Sequence, residues 1–469
     1  MGSYLDRIRE FYDKAPTEST WFGSFYHSLL ANHYRHLIPT QAVILEIGCG
    51  SGDLLSRLPN RDVTGVDLSP VQIAAARNRL PNGTFIASAA EVLVRGGALD
   101  RTFDYIILSE TVNFSPDVQW LLERLQEFAG KETRLIVNFY NTLWHPILQL
   151  ATVLGLKPRQ PGTNWLSASD VRGLLDLANW EVIHQQERIL CPLPLLGLDR
   201  LLNRFVAPLL PFLSLTIFQT ARPRPASAMP PQSVSVIVPA RNEAGNIDAA
   251  LERMPLMGSK TEIIFVEGHS KDDTWLRIQG AVRKYPHLEV KTLQQTGAGK
   301  GNAVREGFAA ATGDILMILD ADLTVPPEDL PKFYTALVSG RTEFANGVRL
   351  VYPMDGKAMR FLNMCANKFF SLAFTWVLGQ PIKDTLCGTK VLFRRDYLRI
   401  AANRAVFGEF DPFGDFDLLF GARKLNLKIS DIPIRYQERT YGATNIRRWS
   451  HGLLLLRMLG FSLLRLKMI

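Results

Sequence analysis

The sequence predicts an α/β architecture with two different domains in tandem. Three observations lead there. Short apolar, strand-like runs alternate with helical patterns in both halves. Two of those runs, AVILEI at 42–47 and VSVIVPA at 234–240, each open into a polar or glycine-rich turn followed by a helix. A proline-rich seam, RPRPASAMPPQ at 222–232, lies between two apolar runs and reads as a linker. The halves share no obvious repeat, so the boundaries expected are 1–221, the 222–232 linker and 233–469.

Composition limits the partners. The 469 residues suffice for two or three domains, and 47% hydrophobic with 21% charged residues excludes a disordered or fibrous chain. The net charge of +8 is unevenly placed: residues 1–221 carry −2, residues 222–469 carry +10, and 421–469 alone carry +8. A basic coat for nucleic acid is therefore excluded, and attraction for anions belongs to the C-terminal end. Four scattered cysteines (Cys49, Cys191, Cys365, Cys387) fit neither a disulfide framework nor a cysteine zinc site. The opening MGSYLDRIREFYDK lacks the apolar core of a secretion signal, and Asp6 stands where myristoylation needs Ser or Thr. A cytoplasmic setting is expected.

In the N-terminal half, the strand ending at Ile47 leads into Gly48, Gly50 and Gly52, where a ligand can approach the backbone and a helix N-terminus follows. Nineteen residues past Gly48, the strand VTGVD ends in Asp67, placed to accept hydrogen bonds from ribose hydroxyls. The form E-I-G-C-G-S-G, with Glu46 before the first glycine, resembles the class I S-adenosylmethionine-dependent methyltransferases over most of 1–221. The resemblance implies a Rossmann-like methyltransferase domain. Its glycine loop would wrap the methionine end of S-adenosyl-L-methionine, and Asp67 would hold the ribose. Ser88 stands where that family often places an adenine-contacting Asp. FDYIILSETVNF (103–114) reads as the next core strand and the loop toward the methyl acceptor. Methyl transfer at a sulfonium gains mostly from proximity, with a base needed only if the acceptor must lose a proton. His27, His33, Glu110 and His145 are the candidates, and spacing selects none of them.

In the C-terminal half, VSVIVPARNEAGNIDAAL (234–251) is a strand, a polar turn and a helix, and EIIFVEGHSKDDT (262–274) is a second strand with an acidic turn. GAGKG (297–301) is not a P-loop, since Gln294 occupies the position of that motif's first glycine. Then ILMILDADL (315–323) ends an apolar strand in D-A-D, so that Asp320 and Asp322 can share a crevice and hold Mg²⁺ or Mn²⁺. Together these segments resemble family 2 glycosyltransferases of the GT-A fold, nearest the dolichyl-phosphate mannose synthase-like branch, over about 233–445.

That resemblance places Pro239, Arg241, Asn242, Glu243, Glu267, Lys300 and Asp320 at the nucleotide-sugar, with a metal on Asp320 and Asp322. Gly268 stands where the family's second loop has another Asp. KDTLCGTKVLFRRD (383–396) resembles the acceptor-loop segment, and Asp415 and Asp417 fall in the acidic region near the acceptor. Asp417 is favoured over Asp415 as a base, should the acceptor be a sugar hydroxyl; a helix start bearing acidic residues is the plain alternative. Arg439 is retained from a phosphate-binding R-x-x-G-x-S-K ending, whose Lys is here Asn445.

Two segments bear on membranes. KAMRFLNMCANKFFSLAFTWVLGQ (357–380) places Arg360 with Asn363 and Asn367 on one helical face, where that family carries an amphipathic acceptor helix. The leucine-rich tail from Trp449 is interrupted by His451, Arg457, Arg465 and Lys467. Both suit interfacial helices better than spans, with a buried core helix as the alternative. The expected function is a bifunctional enzyme: metal-dependent inverting sugar transfer from a nucleotide-sugar to a polyprenyl phosphate or lipid-linked acceptor, plus methyl transfer to an unidentified acceptor. It is expected peripherally at the inner face of the membrane. The alternatives are a saccharide glycosyltransferase whose N-terminal domain methylates the glycan product, or an N-terminal module that binds S-adenosylmethionine without turnover.

Overall fold

The computed structural model describes residues 2–18, 21–154, 164–225, 228–349, 361–404, 416–437, 439, 441 and 448–468. It divides into two compact units, residues 1–224 with the last three residues, and residues 225–466.

The first unit is a seven-stranded sheet: β1 (Ile44–Ile47), β2 (Val63–Asp67), β3 (Thr84–Ala87), β4 (Phe103–Ser109), β5 (Ala129–Tyr140), β6 (Trp180–Arg188) and β7 (Thr216–Pro223). Their order is β3-β2-β1-β4-β5-β7-β6. β1 to β5 are mutually parallel, and β7 runs antiparallel to both neighbours. The short apolar runs are the reason: a parallel strand buried on both faces needs no polar alternation. In β4, Tyr105 and Ile107 enter one core layer while Phe103, Ile106 and Leu108 enter the other. The run at 216–221 forms most of β7. It sits inside, between β5 and β6, and continues through Arg222 and Pro223, the first residues of the proline-rich seam.

The second unit has β8 (Val234–Ala240), β9 (Thr261–Glu267), β10 (Glu289–Gln294), β11 (Ile315–Ile318), β12 (Phe344–Val348), β13 (Lys390–Phe393) and β14 (Ile429–Pro433). Their order is β10-β9-β8-β11-β13-β12-β14, with β13 antiparallel to β11 and β12. Val236 and Val238 of β8 face one core layer and Ile237 the other, as do Met317 and Ile318 of β11.

Each sheet reverses its strand order once beside its first strand, between β1 and β4 and between β8 and β11. Loops leaving neighbouring parallel strands diverge there and open a crevice at the carboxyl ends. The glycine loop, Asp67 and Glu110 follow β1, β2 and β4; the 241–246 turn, Gly268 and the D-A-D follow β8, β9 and β11.

The helix Phe361–Leu378 buries Phe370, Phe374, Val377 and Leu378 in the core, with Leu455, Met458 and Leu459 of the helix Arg448–Ser462. The tail is thus half core helix and half exposed face, the latter bearing Leu453, Leu456 and Arg457. Among the described residues, no helix is long and apolar enough to cross a membrane.

Candidate functional site

In the first unit the glycine loop is held open from below. Gly48, Gly50 and Gly52 have φ of 74°, 51° and 72°. A Cβ on Gly48 would lie 2.6 Å from Thr111 Oγ1, which itself donates to the Ile47 carbonyl at 2.7 Å. Only glycine fits both the turn and the neighbour. Asp67 accepts the Gly50 and Ser69 amides on its two oxygens, each at 2.8 Å. Burial raises its pKa, against the pull of those amides. Each carboxylate oxygen keeps a lone pair for a ribose hydroxyl. Ser88 turns its hydroxyl to the Ala89 carbonyl at 3.2 Å.

Glu46 is 2% exposed, and burial, then the charges of Asp67 and Asp53, push its pKa up to about 8. Its Oε2 has no hydrogen-bond partner. A buried carboxylate oxygen left unpaired in a glycine-rich crevice fits a cationic ligand such as the ammonium and sulfonium of S-adenosylmethionine.

Past β4, Glu110 adopts φ of 60° and accepts hydrogen bonds from the hydroxyls of Tyr26 at 2.5 Å and Tyr140 at 2.7 Å. Burial, and then the Glu110 charge, raise both phenols well above their ordinary range, so they stay donors. Tyr12 meets Phe114 edge-on at 6.0 Å, and Trp165 lies 6.2 Å from Tyr140 and 4.1 Å from the His145 ring. The other candidate bases are engaged: His27 Nδ1 sits 2.9 Å from Asp53, and His33 is buried against Phe218. Tyr26 and Tyr140 carry no motif. The only cue was a tyrosine at the carboxyl end of a core strand.

In the second unit the first two loops are stapled together. The Asn242 amide, at φ 57°, donates to Ser270 Oγ at 2.9 Å, and the Glu243 amide to Thr274 Oγ1 at 2.9 Å. Glu267, 4% exposed, accepts the Ser270 amide at 2.5 Å. Pro239 lies within β8, and Arg241 is exposed beside it.

The D-A-D is bracketed by cations. Lys300 Nζ, at the start of the helix Lys300–Ala310, lies 2.6 Å from Asp320 Oδ1. Arg439 lies 2.5 Å from Asp322 Oδ2 and 3.5 Å from Glu243 Oε1. Thr324 fixes the other oxygen of Asp322 through its amide (3.1 Å) and hydroxyl (2.8 Å). Burial pushes Glu243 up to about 7, with Arg439 opposing. Five residues read from four motifs therefore form two ion-paired groups, Lys300–Asp320 and Glu243–Arg439–Asp322, held side by side by the D-A-D. Among the described residues no three His, Cys, Asp or Glu side chains form a ready metal cage. Two hard carboxylates nonetheless suit Mg²⁺ or Mn²⁺, which complete their shells with water and phosphate oxygens.

Asp417 stands in the first turn of the helix Phe416–Lys424, 3.5 Å from Arg404 and 3.9 Å from Arg305. Asp415 and Arg360 lie outside the described residues, as do Asn445 and Arg447.

The 383–390 segment was legible as a motif, but its packing was not. A Cβ on Gly388 would run into Asp320 and Lys300, so this backbone lies directly on the cluster. The segment is anchored by Asp384, fully buried, which takes Arg349 Nε at 2.7 Å and Nη2 at 2.9 Å. Burial opposes and Arg349 outweighs, so Asp384 is held down at about 2. Arg349 follows β12 with no motif around it.

Comparison with known proteins agrees with this division. Residues 22–185 match the family model described as a methyltransferase domain, and residues 235–400 that described as glycosyl transferase family 2. The chain is 40% identical over 121 residues to a dolichol-phosphate mannosyltransferase of Pyrococcus furiosus, covering 25% of this chain and 33% of that one. It is 32% identical over 217 residues to an undecaprenyl-phosphate 4-deoxy-4-formamido-L-arabinose transferase of Klebsiella pneumoniae, covering 45% of this chain and 62% of that one. The chain thus spans a third to under two thirds of these relatives' length. Among solved structures, a glucosyl-3-phosphoglycerate synthase from Mycobacterium tuberculosis, crystallised with Mn²⁺ and UDP, aligns with a TM-score of 0.38 at 20% identity, over 50% of this chain and 80% of that one. A SAM-dependent methyltransferase from Thermotoga maritima, described as a possible histamine N-methyltransferase, aligns with a TM-score of 0.35 at 17% identity, over 47% and 98%.

Proposed function

We propose that this chain, which joins a methyltransferase domain to a family 2 glycosyltransferase domain, transfers a sugar from a nucleotide-sugar to a polyprenyl phosphate and separately transfers a methyl group from S-adenosylmethionine. The observation that carries the first activity is the cluster of Asp320, Asp322, Glu243, Lys300 and Arg439 at the switch point of the second sheet. Relatives named for dolichol phosphate and undecaprenyl phosphate support the acceptor class.

Asp320 and Asp322 would hold Mg²⁺ or Mn²⁺, which when bound supplies charge neutralisation for a departing nucleoside diphosphate. The chain's own residues do the rest. Lys300 and Arg439, now paired with the aspartates, are within reach of the same crevice and present cations to diphosphate oxygens. Glu267 and the stapled 241–246 turn form the floor for the nucleotide. Gly388 brings the acceptor-side backbone against the cluster without a side chain to block it. A phosphate nucleophile is already anionic near neutral pH and attacks the anomeric carbon with inversion, needing no base. Asp417 would then serve as a positioning group; with a hydroxyl acceptor it would take the proton.

For methyl transfer, Gly48–Gly52, Glu46 and Asp67 bind the cofactor, and Glu110, oriented by Tyr26 and Tyr140, accepts a hydrogen bond or proton from the acceptor. The exposed face of the helix Arg448–Ser462, with Leu453, Leu456 and Arg457, supports peripheral contact with an anionic leaflet. A thermal-shift screen of nucleotide-sugars with Mn²⁺ tests the donor class, since a ligand stabilises the fold that binds it. No shift with any nucleotide-sugar would refute the glycosyl-transfer reading.

A further inference from the structure

The methyltransferase unit carries an apolar surface that lies outside its core clusters apart from Ile189 and the buried Ala207. It is built from residues 141–154, 189–197 and 198–214. The helix His145–Val153 buries none of its side chains. Leu143, Ile147, Leu150 and Leu154 recur at i, i+4, i+7 and i+11, a single helical face, and all are exposed. Leu196, in the second segment, is fully exposed. Almost half of the exposed large apolar side chains among the described residues fall within these three segments.

Hydrogen bonds make the segments one surface. Asn141 Nδ2 donates to the carbonyls of Phe212 at 3.0 Å and Ser214 at 2.9 Å, and Trp144 Nε1 donates to that of Leu213 at 2.8 Å. Asn203 exchanges two bonds of 2.8 Å with the Cys191 backbone. The three apolar segments are therefore tied together by side-chain to backbone hydrogen bonds.

Its charge has one sign at the surface. Arg200 and Arg204 are exposed. The single acid, Asp199, is 3% exposed and turned inward, capping the amides of Leu195 at 3.0 Å and Gly197 at 3.1 Å. A large apolar patch rimmed by cations marks a contact surface. A second copy of this chain would bring the same arginines to a two-fold contact, like against like. An anionic bilayer offers both complements: acyl chains for the leucines and headgroups for the arginines.

We propose that this surface docks the methyltransferase unit on the interface of a membrane containing anionic lipid. The surface adjoins the side of the crevice proposed for the methyl acceptor: the helix begins five residues after Tyr140, and its first ring, His145, lies 4.1 Å from Trp165, whose ring is 6.2 Å from Tyr140. The inference does not depend on the glycosyl-transfer reading, because it concerns the other unit and its test contains no sugar donor.

The test is flotation of the full chain with vesicles of phosphatidylcholine, with and without phosphatidylglycerol. The variant Ile147→Asp/Leu150→Asp/Leu196→Asp changes exposed side chains only, so its melting temperature should equal that of the unaltered protein. Its partitioning onto vesicles should fall at least about tenfold. Arg200→Glu/Arg204→Glu should weaken binding to the phosphatidylglycerol vesicles alone. Unchanged partitioning of the triple variant overturns the proposal and leaves the C-terminal helix as anchor. So does sedimentation of the unaltered chain as a dimer that the triple variant converts to monomer, since the patch is then a protein interface.

Discussion

The most quantitative consequence of the structure concerns Glu46 and S-adenosylmethionine. Burial holds this carboxyl at about 8, so near neutral pH it is mostly protonated before the cofactor arrives. If its ionised form receives the cofactor's cationic end, affinity must follow the ionised fraction. With that pKa the fraction rises about eightfold between pH 6.5 and 7.5, or about 1.2 kcal/mol of binding free energy. Isothermal titration calorimetry across this window should show that gain, together with release of a proton on binding. Glu46→Gln should bind more weakly at the upper end and show no such dependence. The sign for stability is opposite. The folded pKa lies above the unfolded one, so the protein without cofactor binds more protons folded than unfolded and loses stability as pH rises through this range, by about 1 kcal/mol per unit. A pH-independent affinity in the unaltered protein, or the same slope in Glu46→Gln, would refute the assignment of Glu46 to the cofactor.

Other predictions follow from the two crevices. Glu110→Gln should lower the methyl-transfer rate about 10²–10⁴-fold if the acceptor must lose a proton, with cofactor affinity unchanged; an unaltered rate removes Glu110 as base. Arg349→Met removes the guanidinium that neutralises the buried Asp384 carboxylate, and denaturant unfolding should register a loss of about 3–5 kcal/mol. Because Asp384 is held down at about 2, the stability it contributes is present above about pH 4 and is lost as pH falls through 2; Arg349→Met should flatten that acid limb. Gly388→Ala should reduce nucleotide-sugar turnover while leaving methyl transfer intact, because a new methyl group would push into Asp320 and Lys300; equal sugar-transfer rates would show that the loop stands away from the cluster.

Much of the architecture was legible in the sequence because parallel strands advertise themselves. A run such as ILMI or VSVIV is buried on both faces, and its glycine or acidic turn marks the carboxyl end where a crevice opens. For the same reason Asp67, Asp320 and Asp322 could be named as site residues before any contact was known. What stayed hidden were pairings across long sequence gaps. Tyr26 reaches Glu110 over 84 residues and Arg349 reaches Asp384 over 35, and neither Tyr26 nor Arg349 sits in a recognisable string. The placement of β7 between β5 and β6 was equally invisible, since an apolar run gives no sign of which neighbours it will choose. The exposed leucines of 143–154 and 193–213 failed in a different way. Their hydrophobicity was plain, but composition cannot separate a buried helix from one that faces outward.

The most direct measurement of the central claim is transfer of radiolabelled sugar from a nucleotide-sugar to polyprenyl phosphate in vesicles, with and without Mn²⁺, by the full chain and by Asp322→Ala. The account predicts a lipid-extractable labelled product that requires the metal, is formed by the unaltered chain, and is abolished by Asp322→Ala while that variant still binds S-adenosylmethionine. Full activity in Asp322→Ala, or labelled product only on water-soluble saccharide acceptors, would contradict it.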